Sequence, residues 1–226
     1  MKLTDIQLLN SGKHSEEKLK QNKYLMFYWE NIRNIFSEKI PKNFEFNGIS
    51  KLNIQFSDTD LVGLIEPDTK GIAVYQRNDF SFDKFQSLSE NEKDNVSLGY
   101  IENSLIEIAD LYGNSESQKE IVRSISNSIR ENAFILDKVH RKTTKWHGSR
   151  KFRAVTTLQF KKGGIDVVLE IVGNDGASIS KYKIIESWLW ESVWSSLWKG
   201  SWAQNSFVIE DRFGEVFFET DNCTEE

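Results

Sequence analysis

A chain of 226 residues and 26.3 kDa is long enough to bury a large core, removing about 70% of the surface the unfolded chain exposes. Its 29 Lys and Arg against 34 Asp and Glu give a formal charge of -5 and a pI near 5.4, which excludes a surface clothed throughout in nucleic-acid-binding charge. With 38% hydrophobic and 12% aromatic residues, global disorder is excluded as well.

Cys223, the single cysteine, allows no internal disulfide and no thiolate metal cluster, which points to a reducing compartment. Met1 to Asp5 meets charge at once and has no apolar run of signal-peptide length. The longest uncharged stretch, Gly200 to Ile209, falls far short of the roughly 20 residues that cross a bilayer. A soluble cytoplasmic protein without membrane contact is the expectation. Pro41 and Pro67 are the only prolines, and there is no linker tract or fixed-period repeat, so a single domain over residues 1–226 is expected.

In chain order, Ser15 opens a long helix whose apolar face is Leu25, Tyr28, Trp29, Ile32, Ile35 and Phe36, stopped by Pro41. Leu52 to Phe56, Leu61 to Ile65 and Ile72 to Tyr75 read as short strands, the last two joined by a turn from Pro67 to Gly71. Ser89-Glu90-Asn91-Glu92 has the spacing of a capping box and leads into Leu98, Ile101, Leu105, Ile108 and Tyr112 at helical period. A second box, Ser115-Glu116-Ser117-Gln118, opens a helix through Ile121, Val122, Ile125, Ile129 and Leu136. The two helices form a hairpin across Gly113-Asn114.

Beyond residue 150 the period becomes two. Phe152 to Phe160, Ile165 to Ile171 and Ile179 to Ile185, separated by Lys162-Gly163-Gly164 and Gly173-Asn174-Asp175-Gly176, read as an antiparallel meander. Trp190, Trp194, Trp198 and Trp202 recur every four residues, which predicts a helix ending near Gly200. Phe207 to Ile209 and Val216 to Phe218 close the chain as a hairpin. The class is α+β, with a long N-terminal helix, a central helical hairpin, an antiparallel β-meander and a C-terminal hairpin.

From Lys138 to Lys162 the chain carries nine Lys and Arg and no acid, leaving 20 cations against 34 acids elsewhere. Trp146, His140 and His147 lie inside this run. Arg141, Lys142, Lys145, Trp146, His147, Arg150, Lys151 and Arg153 are accordingly the candidate partner-binding residues, since cations beside a stacking aromatic suit either an acidic protein surface or a nucleic acid. The bland reading is a solvated helix end, carrying Lys138, Arg141 and Lys142, followed by the outward face of a strand. His140 and His147 would serve as acid and base if the chain were a metal-independent nuclease, but no third group in the sequence fixes their geometry.

Asp166 with Glu170, and Asp58 with Asp60, each offer two hard oxygens on one side. The polar face of a strand and an inter-strand turn explain them equally. No phosphate loop, zinc helix or nucleophile elbow occurs, and Cys223 sits in a polar tail. No catalytic residue, metal ligand or cofactor site is therefore assigned. The tryptophan stripe either packs in the core or forms an aromatic binding surface.

Phe82-Asp83-Lys84-Phe85-Gln86-Ser87-Leu88-Ser89-Glu90-Asn91-Glu92-Lys93, running into Leu98 to Leu111, resembles a pattern of bacterial immunity proteins that neutralise polymorphic or contact-dependent toxins. The resemblance covers about 30 residues and implies a small acidic cytoplasmic α+β protein without chemistry of its own, bound to a cognate protein toxin. The basic run departs from a uniformly acidic decoy, and no binding residue carries across. The alternative is a nucleic-acid-binding or nuclease-like protein using residues 138–162.

Overall fold

A computed structural model describes residues 1–10, 15–57, 62–65, 67–112, 116–187 and 190–221, apart from the side chains at 190 and 191. It divides the chain into two units, Met1–Phe134 and Ile135–Glu226. Both combine helices with sheets, and the class is α+β. No described helix is long and apolar enough to cross a membrane.

In the first unit, β1 (Asp5–Asn10) leads into α1 (Glu16–Lys39). The Ser15 side chain caps α1 by accepting from the Lys18 amide, and the six apolar residues expected on one face are all buried. The sheet runs β1, β2 (Lys51–Phe56), β4 (Ile72–Arg77), β3 (Gly63–Ile65), with β1, β2 and β4 parallel and only β3 antiparallel. The alternation of β1 is short and its pairing is non-local, so nothing local in the sequence marks it. Ile6, Leu8, Leu52, Ile54, Phe56, Ala73 and Tyr75 alternate onto one buried face.

A short helix, α2 (Phe82–Ser87), precedes α3 (Glu90–Leu111). At α3 the expected capping box is complete. The Glu92 amide donates to the Ser89 hydroxyl, while the Glu92 carboxylate accepts from the Ser89 amide at 2.8 Å and from its hydroxyl. The hydroxyl bond first, then the amide, holds the Glu92 carboxyl below its usual range. Ser89→Ala should lower stability by about 1 kcal/mol, read as an earlier thermal unfolding of helical signal. An unchanged transition would show that the cap contributes nothing.

α4 (Glu116–Glu131) packs on α3 as the helical hairpin predicts. Ser115, Gly113 and Asn114 lie outside the described residues. Gln118 directs its amide to the Glu45 carbonyl at 2.9 Å. The helix does not extend to Leu136. Ala133 and Phe134 take left-handed backbone, φ 50 and 59, the Phe134 amide returns to the Ile129 carbonyl at 3.0 Å, and the Phe134 ring is buried. That is a helix stop built without the usual glycine, and no glycine signals it in the sequence.

In the second unit, β5 (Leu136–Val139), a 3₁₀ turn (Arg141–Thr143) and β6 (Lys145–Trp146) lie along one edge of β7 (Phe152–Lys161). β8 (Gly164–Gly173) and β9 (Ser178–Ser187) complete the predicted antiparallel meander. Ala154, Thr156, Leu158 and Phe160 pair across to Ile171, Leu169, Val167 and Ile165, and all eight are buried.

α5 (Trp190–Ser196) packs on β8 and β9. The tryptophan helix ends there, short of Gly200. β10 (Lys199–Ala203), which contains Trp202, pairs with β11 (Ser206–Glu210), and β11 pairs with β12 (Val216–Glu219) as the expected closing hairpin. Backbone pairing across a two-residue turn, with Gln204 at φ 54, outweighs the four-residue tryptophan spacing. Contacts of Phe152 with Trp202 and of Tyr182 with Phe218 place this second sheet over the buried face of the first.

Candidate partner-binding surface

The basic run does not end a helix. Lys138 lies in β5, Arg141 and Lys142 in the 3₁₀ turn, Lys145 and Trp146 in β6, His147 and Arg150 in the turn that follows, and Lys151 leads into β7, which carries Arg153. The cations therefore occupy a broken edge strand and its hairpin, which overturns the assignment of Lys138, Arg141 and Lys142 to a helix C-terminus and leaves Arg153 on the outward face of a strand. Lys161 and Lys162 lie at the β7–β8 turn, where Lys161 pairs with Asp166 at 2.6 Å.

Arg141, Lys142, Lys145, Arg150, Lys151 and Arg153 are exposed, and none has a carboxylate within ion-pair distance among the described residues. They form a cationic rim whose aromatic residues lie on opposite sides of the sheet. Trp146 faces Arg153 directly across the β6–β7 ladder, and the guanidinium lies 5.4 Å from the indole. Both project away from the face that Ala154 buries. On the other side, Lys142 places its ammonium 4.1 Å from the Trp198 ring and 5.2 Å from the Trp194 ring, although both indoles remain 46% exposed. The eight candidates thus do not make one patch. The sequence pointed to Lys142 and to the tryptophan stripe separately, and nothing local in it links them.

The stripe itself is mixed. Trp194 and Trp198 are surface residues, whereas Trp202 lies among His147, Phe152 and Phe207 and donates its indole N–H to the Lys145 carbonyl at 3.2 Å. Trp188 and the Trp190 side chain lie outside the described residues.

Both histidines have hydrogen-bond partners within the fold. His147 stacks on Phe152 at 4.4 Å. Its Nε2 lies 3.0 Å from the Gln204 carbonyl, which can only accept, and its Nδ1 accepts the Ser149 amide at 3.2 Å. These partners take up both ring nitrogens.

His140 is buried, with Nδ1 2.8 Å from the Thr143 hydroxyl. Burial, then the charges of Lys142 and Lys138, push its pKa below the ordinary imidazole value. An unfolded chain therefore binds this proton first as pH falls, so the stability present above about pH 6.5 declines below it. Thermal midpoints taken from about pH 7.5 down to about pH 5.5 should fall less in His140→Gln than in the parent. Parallel curves would count against this proton.

Asp166 and Glu170 share one face of β8, but the Asp166 Oδ2 is taken by Lys161 and by Lys183 at 3.2 Å, its Oδ1 being buried without a partner among the described residues, and Glu170 stands opposite Lys181. No three His, Cys, Asp or Glu side chains among the described residues gather closely enough to hold a metal ion. Asp58, Asp60 and Cys223 lie outside the described residues. No protein-family model matches the chain, and no curated protein or solved structure is significantly similar to it.

Proposed function

We propose that this chain is a non-enzymatic binding protein that docks the cationic rim of its second unit on a partner protein, and that it acts in the cytoplasm as an immunity protein neutralising a cognate toxin by direct contact. The observation that carries this reading is the set of six exposed cations without carboxylate partners among the described residues, beside aromatic residues that remain half open. Such a rim steers an acidic partner into encounter, and its aromatics slow release. His140 and His147, the residues a nucleolytic reading needs, are engaged by Thr143, Ser149 and Gln204. The likeness of the segment from Phe82 to Leu111 to immunity proteins supports the same direction.

Co-expression with the product of the neighbouring reading frame tests it. Growth should be arrested by that product alone, restored by this chain, and not restored when Arg150, Lys151 and Arg153 are all changed to glutamate. A harmless neighbour, or rescue that survives the charge reversal, overturns the proposal. Binding of the parent chain to an oligonucleotide, with a steep salt dependence that the same reversal abolishes, would instead establish the nucleic-acid alternative.

A further inference from the structure

The rim has two sides, and their chemistry differs. On the side of Trp146 and Arg153, the pair sits on an otherwise polar and β-branched strand face. On the other side, three chain segments converge. The 3₁₀ turn brings Lys142 to Trp194 and Trp198. The Trp198 amide donates to the Glu210 carbonyl at 3.0 Å, and the Arg212 amide donates to the Ser195 carbonyl at 3.0 Å, which fixes the β11–β12 turn beside the end of α5. At that turn the Arg212 guanidinium lies 4.6 Å from the Phe213 ring, and Phe213 is 75% exposed. The result is a ridge of Lys142, Trp194, Trp198, Arg212 and Phe213, and of these the sequence offers no sign of Arg212 and Phe213.

Resting on the binding reading above, we infer that this ridge is the anchor of the interface and that it takes a protein segment in which carboxylates alternate with apolar side chains. Neither Lys142 nor Arg212 has an acidic partner among the described residues, and each is held against an aromatic ring that strips part of its water. A carboxylate arriving between apolar groups gains most at such a site, because the cation's desolvation is already partly met. The indole N–H of Trp198, which donates to no described residue, supplies one more donor.

Charge complementarity also excludes a polyphosphate as the fitted occupant. Asp211 and Glu215 flank Arg212 and Phe213 in sequence, and Glu210 lies beside Trp198 with Lys199 paired to it at 3.2 Å. A phosphodiester chain presents negative charge at every step and would cross these acids, whereas a folded protein places its carboxylates singly. Lys142 also covers one face of Trp198, which leaves fewer ring faces open for stacking on a base.

A random peptide library displayed on phage, selected against the intact chain, tests the inference. Enriched peptides should combine Asp or Glu with aliphatic or aromatic residues. A synthetic copy of one, titrated by fluorescence anisotropy, should lose roughly thirtyfold in affinity against Lys142→Ala and against Phe213→Ala, the loss expected of a central anchor. The same peptide should bind Lys181→Ala, an exposed position of β9 outside the rim, within about twofold of the parent. Both anchor positions are exposed, and a thermal melt of each variant confirms its folding. Enrichment of basic peptides, no enrichment, equal loss in Lys181→Ala, or displacement of the peptide by oligothymidylate would overturn the inference. The two proposals fail separately. Toxin rescue that depends on Arg153 and not on Lys142 or Phe213 removes the anchor and leaves the binding function, while acidic-peptide binding without a neutralised toxin does the reverse.

Discussion

Phe56→Ala should cost the first unit about 3–5 kcal/mol, the largest loss expected of any single change considered for this chain. Phe56 closes the buried face of β2 and is met by the Trp29, Phe80 and Tyr100 rings at 5.3, 5.1 and 4.7 Å. Trp29 and Tyr100 belong to α1 and α3, and Phe80 in turn meets Phe85 of α2 at 5.8 Å, so one phenyl ring couples the sheet to three helices. Those rings meet at tilted and edge-on angles, and removing the central one leaves a cavity that its neighbours refill only by abandoning their own contacts. Because α1, α3 and α4 all lie in this unit, helical circular dichroism during urea unfolding reads it directly. Phe56→Leu, which retains most of the volume, should lose less than half as much. A loss below about 1.5 kcal/mol for alanine would mean that the cluster collapses freely and that Phe56 is not its keystone.

The same cluster marks where sequence reasoning succeeds. Trp29 sits at a helical interval from Leu25, Ile32 and Phe36, Ser15 caps the start and Pro41 ends the run, so period, cap and breaker agree on α1. The capping box at Ser89 and Glu92 is equally local, and it forms as expected. β1 offers only Ile6 and Leu8 in alternation, and its stability comes from parallel pairing to β2 across the whole of α1. Nothing within six residues announces that. At Ala133 and Phe134 the helix stops through burial of a phenyl ring, a tertiary cause. In the tryptophan segment the local signal is misleading, since spacing by four persists from Trp194 to Trp202 although the backbone changes from helix to strand between Trp194 and Lys199.

The candidate surface follows the same division. Its composition is visible in the linear sequence, because a run of cations without acids needs no fold to be noticed. Its geometry is not, because Lys142 meets Trp198 only after β10 has been laid against the 3₁₀ turn, and Arg153 is turned away from Lys142 by the alternation of a strand. An electrostatic argument can therefore be made from the sequence, but the choice between the two sides of the rim requires the register of β6 on β7.

Gly200→Ala should damage that geometry most directly. Gly200 is buried in β10, and a methyl group there would stand 2.6 Å from Phe207 Cζ and 2.8 Å from Thr143 Cα. The ring of Phe207 is fully buried and the Thr143 backbone is held by the Thr156 hydroxyl at 2.9 Å, while the Thr156 amide donates to Thr144 at 3.0 Å. Neither neighbour is the free end of a flexible chain, so the strand and the turn must separate, at about 1–3 kcal/mol for overpacking. Separation carries Lys142 away from Trp198, because the two residues flank the contact on its two sides. Gly200→Ala should therefore lower the thermal midpoint and alter the near-ultraviolet dichroism of the tryptophans together. Lys142→Ala should alter the same tryptophan signal while costing only about 0.5–1 kcal/mol, the worth of an exposed cation on a ring. If Gly200→Ala kept the parent's stability and aromatic spectrum, β10 would not lie against the turn as described, and the ridge that depends on their contact would lose its foundation.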